Sequence, residues 1–177
     1  LLPGHVSTII GVKAYDFIAE DFSIPGVVAG FELVDILQAV LTIGKQIVEG
    51  QARIDNAYSR AVKEDGNPKA RALIEQVFDT CNAEWRGFGE IENSGYKIKA
   101  EFSQYDVRRK FSKQIKAADS LEIPSKYKAC CCDKVLRGSI TPDKCPMFKT
   151  ACSPEKPLGP CMVSSEGSCA AFYKYLV

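Results

Sequence analysis

Three observations predict an α/β protein. Short β-branched runs alternate with helical periodicities over the first fifty residues, a strand-like run passes straight into a long amphipathic helix, and a proline-broken, cysteine-rich tail closes the chain. Together they describe part of a Rossmann-like parallel α/β domain over residues 1–50, followed by an α+β, loop-rich domain over 51–177 whose tail starts at about residue 124.

HVSTIIG (5–11) reads as a strand or strand-end loop, AYDFIAEDF (14–22) as a short helix, and PGVVAGF (25–31) as a buried strand of the kind found in parallel sheets. The clearest helix follows, because Leu33, Ile36, Leu37, Val40, Leu41, Gly44, Ile47 and Val48 form one continuous stripe that ends near Gly50. Gly44 weakens that helix by roughly 1 kcal/mol relative to Ala, so a close neighbour is expected there. Strand into helix is half of a βαβ unit. Asn67 caps and Pro68 starts a second helix, with Ala70, Leu73, Ile74 and Val77 on one face. AEWRGFGEIENSGYKIKAEF (83–102) offers two strand-like runs about the turn candidate Asn93-Ser94-Gly95, a hairpin. YDVRRKFSKQI (105–115) is a basic helical stretch balanced by nearby acidic residues, and reads as a solvated face. No internal repeat or low-complexity tract interrupts the pattern.

The 177 residues carry 23 Lys and Arg against 22 Asp and Glu, a net charge of +1, which gives no general attraction to nucleic acid or to an anionic membrane. No apolar run approaches the roughly 18 to 20 residues needed to span a bilayer, and mean hydropathy is -0.10. A soluble protein is expected. LLPGHVSTII begins without Met, has no basic n-region, and contains Pro and Gly, so it does not read as a signal peptide. It reads as a start within a longer protein.

Seven of the eight cysteines (130, 131, 132, 145, 152, 161 and 169) lie in the last 48 residues, and the remaining one is Cys81. A long cysteine-poor segment able to build its own core argues against a disulfide scaffold and for a local metal site in a reducing compartment. The ligand candidates are Cys132-x12-Cys145-x6-Cys152-x16-Cys169, with Cys130, Cys131 and Cys161 as extras. Structural zinc favours close cysteine knuckles, and none of that form is present; separated thiolates suit a cubane, whose binding needs no fixed short spacing. Spacing alone leaves iron-sulfur and zinc both open. GSCAAFYKY (167–175) reads as the start of a terminal helix with Ser164, Ser165 or Ser168 available to cap it, which favours a Cys169 thiolate. The bland alternative for any single cysteine is a buried small hydrophobe, and it fits Cys81 and Cys161, the latter in the strand-like run CMV.

The tail CCCDKVLRGSITPDKCPMFKTACSPEKPLGPCMVSSEGSCAAFYKY (130–175) closely resembles the C-terminal region of the HypD hydrogenase-maturation proteins, with PGHVSTIIG (3–11), VVAGFELVDILQA (27–39), GNPKA (66–70) and AEWRGFG (83–89) as further matches. The resemblance spans the chain. It implies a scaffold rather than a conventional enzyme, working with a HypC-type chaperone to hold the iron on which the Fe(CN)2(CO) group of [NiFe] hydrogenase is assembled, with HypE- and HypF-type partners supplying cyanide. It also implies a cytoplasmic protein whose C-terminal domain carries a [4Fe-4S] cluster. Residue by residue, Cys132, Cys145, Cys152 and Cys169 match the family's cysteines, and Cys130 falls where many members have one, as a substitute ligand or redox neighbour. The family's N-terminal motifs, with cysteines for the assembling iron and a redox-active thiol pair, are absent from this sequence, so the chain alone is not expected to assemble the group. Asp133 and Lys134 replace the common Gly and Glu, and Cys131 and Cys161 are extra thiols.

His5, Glu32 and Asp35 sit where strands give way to a loop or helix, and ligand sites of open α/β sheets gather at such carboxyl ends. The bland readings are a hydrogen-bonded turn for His5 and helix N-terminal complement for Glu32 and Asp35. Because PGHVS and GFE resemble the family's cleft motifs, His5 and Glu32 are candidate residues of an iron-assembly cleft.

Overall fold

A computed structural model describes residues 1–85, 88–120 and 129–176, and the chain divides into two compact units, Leu1–Phe78 and Asp79–Val177. In the first, β1 (Leu2–Pro3), α1 (Gly4–Ile10), a 3-10 turn at Lys13–Tyr15, α2 (Asp16–Glu20), β2 (Gly26–Ala29), α3 (Leu33–Glu49), β3 (Ile54–Asn56) and α4 (Pro68–Val77) follow in order. The strands pair in parallel as β1-β2-β3, Leu2 opposite Val28 and Val27 opposite Asp55. All four residues of β2 are buried, as a central parallel strand covered on both faces requires. Val28 packs with Val12 and Val62, while Val27 and Ala29 pack with Ala39 of α3. The α/β expectation for this region holds, and the unit runs well past residue 50 because β3 pairs with β2.

HVSTIIG is not a strand. His5 to Ile10 lie in α1 with Gly11 as its C-cap, and β1 is only the two residues before that helix. Tertiary contacts override the β-branched propensity: a Cβ at Gly4 would strike the carbonyl oxygen of Ala29, and the buried Ser7 hydroxyl donates back to the Pro3 carbonyl at 2.6 Å.

The helix predicted from Leu33 forms as expected and ends at Gly50, whose φ of 66° lets its N–H reach back to the last turn. Its orientation is the reverse of the simple expectation. Leu37, Val40 and Ile47 are 58%, 51% and 65% exposed, and the buried positions are Asp35, Ala39 and Gln46. The Gln46 amide nitrogen donates to Asp55 at 2.9 Å, and its oxygen accepts from the Arg53 N–H at 3.4 Å, so the polar group meets the sheet satisfied. Nothing lies within 4 Å of a Cβ built on Gly44. The neighbour expected there is not found among the described residues.

The Asn67 cap is as the sequence predicts: its side-chain oxygen accepts from the Ala70 N–H at 3.1 Å, with Pro68 in the first turn. Ala70, Ile74 and Val77 are partly buried, whereas Leu73 faces outward.

β4 (Phe78–Trp85), which from Asp79 onward belongs to the second unit, and β5 (Gly89–Ile98) form a two-stranded sheet. The hairpin exists, but Asn93-Ser94-Gly95 lies inside β5 rather than at its turn. Asn93 takes a left-handed φ of 52°, its N–H bonds the Asn82 side chain, and a Cβ on Gly95 would lie 2.7 Å from that of Ala83. Turn-type residues here serve a kink and a close cross-strand approach. Arg86 and Gly87, within the quoted AEWRGFG, lie outside the described residues, as do residues 121–128 and with them Pro124 at the start of the tail. A 3-10 segment (Ala100–Tyr105), α5 (Val107–Lys110), capped by Asp106, and α6 (Ser112–Asp119) replace the one basic helix expected. The tail contributes α7 (Cys132–Leu136), a 3-10 turn (Pro142–Lys144), α8 (Pro160–Val163) and α9 (Ser168–Tyr175) between loops. Among the described residues no helix is long and apolar enough to cross a membrane.

Gly11 and Gly66 adopt left-handed φ values of 86° and 68° and face each other, so that a Cβ on either would enter the other's backbone. Gly66→Ala is expected to destabilise the first unit by at least about 1–3 kcal/mol, against about 1 kcal/mol for Asn67→Ala, as read from urea midpoints.

Candidate functional site

The tail folds its cysteines inward. Cys132 opens α7, Cys145 follows the 3-10 turn, Cys152 lies in the next loop, Cys161 is in α8 and Cys169 is the second residue of α9. All five are buried, at 3–7% exposure. Cys132, Cys152, Cys161 and Cys169 share one core with Val135, Leu158, Met162 and Ala170, against which Cys130 packs. Cys145, Cys130 and Cys152 each stand near enough to Cys169 to disfavour its charge, and Cys132 and Cys145 do the same to Cys130. The four predicted positions 132, 145, 152 and 169 are therefore brought together, with Cys130 beside them. Cys81, by contrast, is a half-buried residue of β4.

Cys161 sits in a helical turn, not a strand, with its Sγ 3.1 Å from that of Cys169. Gly167, not a serine, is the N-cap of α9, and it makes no side-chain cap bond. The Leu158 N–H donates to Cys152 Sγ at 3.3 Å, whereas the Glu166 and Gly167 N–H groups are both taken up by Ser164. A Cβ on Gly159 would lie 2.6 Å from Cys130 Sγ and 3.5 Å from Cys132 Sγ. The absent side chain is what lets those thiols face the core.

Burial pushes the Cys130 thiol up to about 11, and burial together with Cys169 pushes Cys161 up to about 12. Burial also raises Cys169. These three thiols would become thiolates where a soft metal centre supplies the compensating charge, and a buried set of sulfur donors has the chemistry that such a centre takes. Among the described residues no three His, Cys, Asp or Glu side chains are close enough to hold a single metal ion.

A second cluster lies at the carboxyl ends of the parallel strands. His5 follows β1 and stacks on Phe31, ring centroids 4.2 Å apart. Glu32 follows β2 and is the N-cap residue of α3, with no side-chain cap bond. Arg60, after β3, grips Asp35 through two 2.6 Å hydrogen bonds, lies 3.5 Å from Glu32, and covers the Tyr58 ring at 4.6 Å. Hydrogen bonds from Arg60 hold the Asp35 carboxyl below its ordinary value despite burial. His5 and Glu32 thus share one strand-end surface, and Asp35 has a structural partner rather than serving only the helix end. Arg60, Tyr58 and Phe31 are the residues sequence reasoning missed. The available signal was Asn56, whose side chain accepts from the Tyr58 N–H at 2.9 Å and donates to the Val62 carbonyl at 3.0 Å, an Asx turn that fixes this loop.

Gly159→Ala is expected to leave the first unit folded while lowering metal occupancy of the tail, measured as metal per chain beside the circular dichroism spectrum. Asp35 contributes stability above its unfolded pKa near 4, and this is lost as pH falls through its lower folded value. Asp35→Asn is therefore expected to be less stable at pH 7 and to show a shallower fall in stability below about pH 4, followed by urea unfolding across pH.

The HypD family model, described as "Hydrogenase formation hypA family", matches residues 1–176. Hydrogenase maturation factor HypD of Azotobacter vinelandii is 45% identical over 174 residues, covering 98% of this chain and 44% of that protein. The proteins of the same name from Cupriavidus necator and Rhodobacter capsulatus are 41% and 45% identical over 174 residues, covering 98% of this chain and 44% and 46% of theirs. The chain therefore spans less than half the length of these curated relatives. By the extent of these matches, the chain belongs to the HypD family.

Proposed function

We propose that this chain serves hydrogenase maturation as a scaffold and redox accessory, with Cys132, Cys145, Cys152 and Cys169 holding a [4Fe-4S] cluster. The convergence of those buried thiols carries the reading: Cys132, Cys152 and Cys169 share one core, and Cys145 stands near Cys169. Four short loops and helix ends deliver them from separated positions, the arrangement a cubane accepts without close knuckles. A cluster bound there supplies one-electron redox chemistry. The chain's own part is to exclude water from the sulfurs, to donate the Leu158 N–H to Cys152, and to keep Cys130 beside Cys132 as the substitute ligand. Burial and such hydrogen bonds set the potential.

His5 and Glu32 are assigned to the cleft where iron, the substrate, acquires the ligands of the Fe(CN)2(CO) group in the longer protein. Their place at the carboxyl ends of parallel strands supports this. A HypC-type chaperone and HypE- and HypF-type proteins are the partners the reading requires, in the cytoplasm. The second reading is a zinc-stabilised interaction module on the same four cysteines, without redox activity, which the sulfur spacing disfavours because among the described residues no three lie close enough to hold one ion.

Purified without oxygen, the chain is expected to be brown, to contain about four irons and four sulfides, and to bleach on reduction. Cys145→Ser and Cys152→Ser remove the colour and Cys81→Ser does not. Colourless protein with one stoichiometric zinc would establish the second reading instead. In the full-length protein, His5→Ala is expected to lower hydrogenase maturation roughly 10-fold or more; unchanged iron binding and maturation would take His5 out of the site.

A further inference from the structure

The outward side of α3 needs a partner. Its seventeen residues include only three charged ones, Asp35, Lys45 and Glu49, and Asp35 is buried against Arg60. Leu33, Leu37, Val40, Gly44 and Ile47 recur at spacings of four and three, the seam along which one helix packs lengthwise on another. The four side chains of that seam are 51–71% exposed, and among the described residues no other element comes within 4 Å of a Cβ built on Gly44, at the fourth position. A helix whose inner side is already seated on the sheet and whose outer side is still an apolar stripe has a second layer to meet. The sheet beneath it is also small, with three strands and an edge strand of two residues.

We propose that this seam seats a helix from the additional polypeptide carried by the longer HypD relatives, of which this chain matches only 44–46% of the length in the three described. Two observations favour that occupant over a transient partner. The seam is uncharged throughout, as in permanent interfaces that resemble a domain core cut in half, and the relatives carry at least as much chain again as the matched region. Gly44 is the point of closest approach, where a missing side chain lets the second helix come in.

The test compares this chain with a full-length form that joins it to the additional half. Val40→Cys is introduced in both, with Lys45→Cys as an exposed control on the same helix. Maleimide labelling is followed peptide by peptide, so the native cysteines do not interfere. Position 40 is expected to label at least tenfold more slowly in the full-length form, while position 45 labels alike in both. Gly44→Leu should leave the melting temperature of this chain unchanged and return position 40 of the full-length form to the rapid rate. Equal rates at position 40 in the two forms overturn the proposal. So does protection already present in this chain alone, whether it depends on concentration, which would identify a second copy, or does not, which would identify the chain's own second unit.

Discussion

The second unit depends on sulfur filling the place that hydrocarbon usually takes. Helices of five, four and eight residues, separated by proline-containing loops, are too short to persist by themselves. Their common core is half cysteine, with Val135, Leu158, Met162 and Ala170 as the other members. Phe148 adds edge contacts to Phe172 and Tyr173 of α9, each with ring centroids 5.9 Å apart, but a thiol buries less apolar surface than a leucine and secures less packing. A group that binds several thiols ties the same segments together far more strongly than their burial does. The residues proposed to hold a metal are thus also those whose local structure would gain most from one.

The first unit shows the complementary economy. The sheet-facing side of α3 has a small apolar middle at Ala39 and polar ends at Asp35 and Gln46, each matched by a residue at or beyond β3. Periodicity located this helix and its end at Gly50, because spacing and a left-handed C-cap are local properties. It did not reveal which side meets the sheet. The amphipathic rule assumes that the apolar stripe faces the nearest layer, and here the nearest layer takes the short and polar stripe.

The same division between local and long-range information runs through the site. The asymmetric distribution of cysteines made the tail legible, and folding puts positions 132, 152 and 169 in one core with Cys145 near Cys169. Cys161 was hidden because a four-residue helix leaves no periodicity to read, and only folding sets its sulfur against Cys169. Arg60 was hidden for a related reason: β3 has three residues, too few to register as alternation, so only Asn56 marked the loop after it. The turn residues of β5 misled in the opposite direction. Asn93 and Gly95 have the chemistry of a turn, but a strand can use left-handed backbone and a missing side chain for a kink and a close crossing.

The strand-end cluster has a further internal logic. A Cβ on Gly30 would collide with the Asp35 carboxylate, so the β2–α3 corner is tight only because Gly30 yields its space to Asp35. Asp35 in turn consumes both terminal nitrogens of Arg60, and the guanidinium is pinned from another side by Tyr58. Arg60 is then too committed to act as a mobile anion hook, and its remaining influence is on Glu32, 3.5 Å away. Glu32 remains exposed, has no helix-cap bond, and is adjacent in sequence to the ring on which His5 stacks. Asp35 and Arg60 are thus occupied in building the corner, with Glu32 at its exposed rim against Arg60 and His5 stacked on the neighbouring ring.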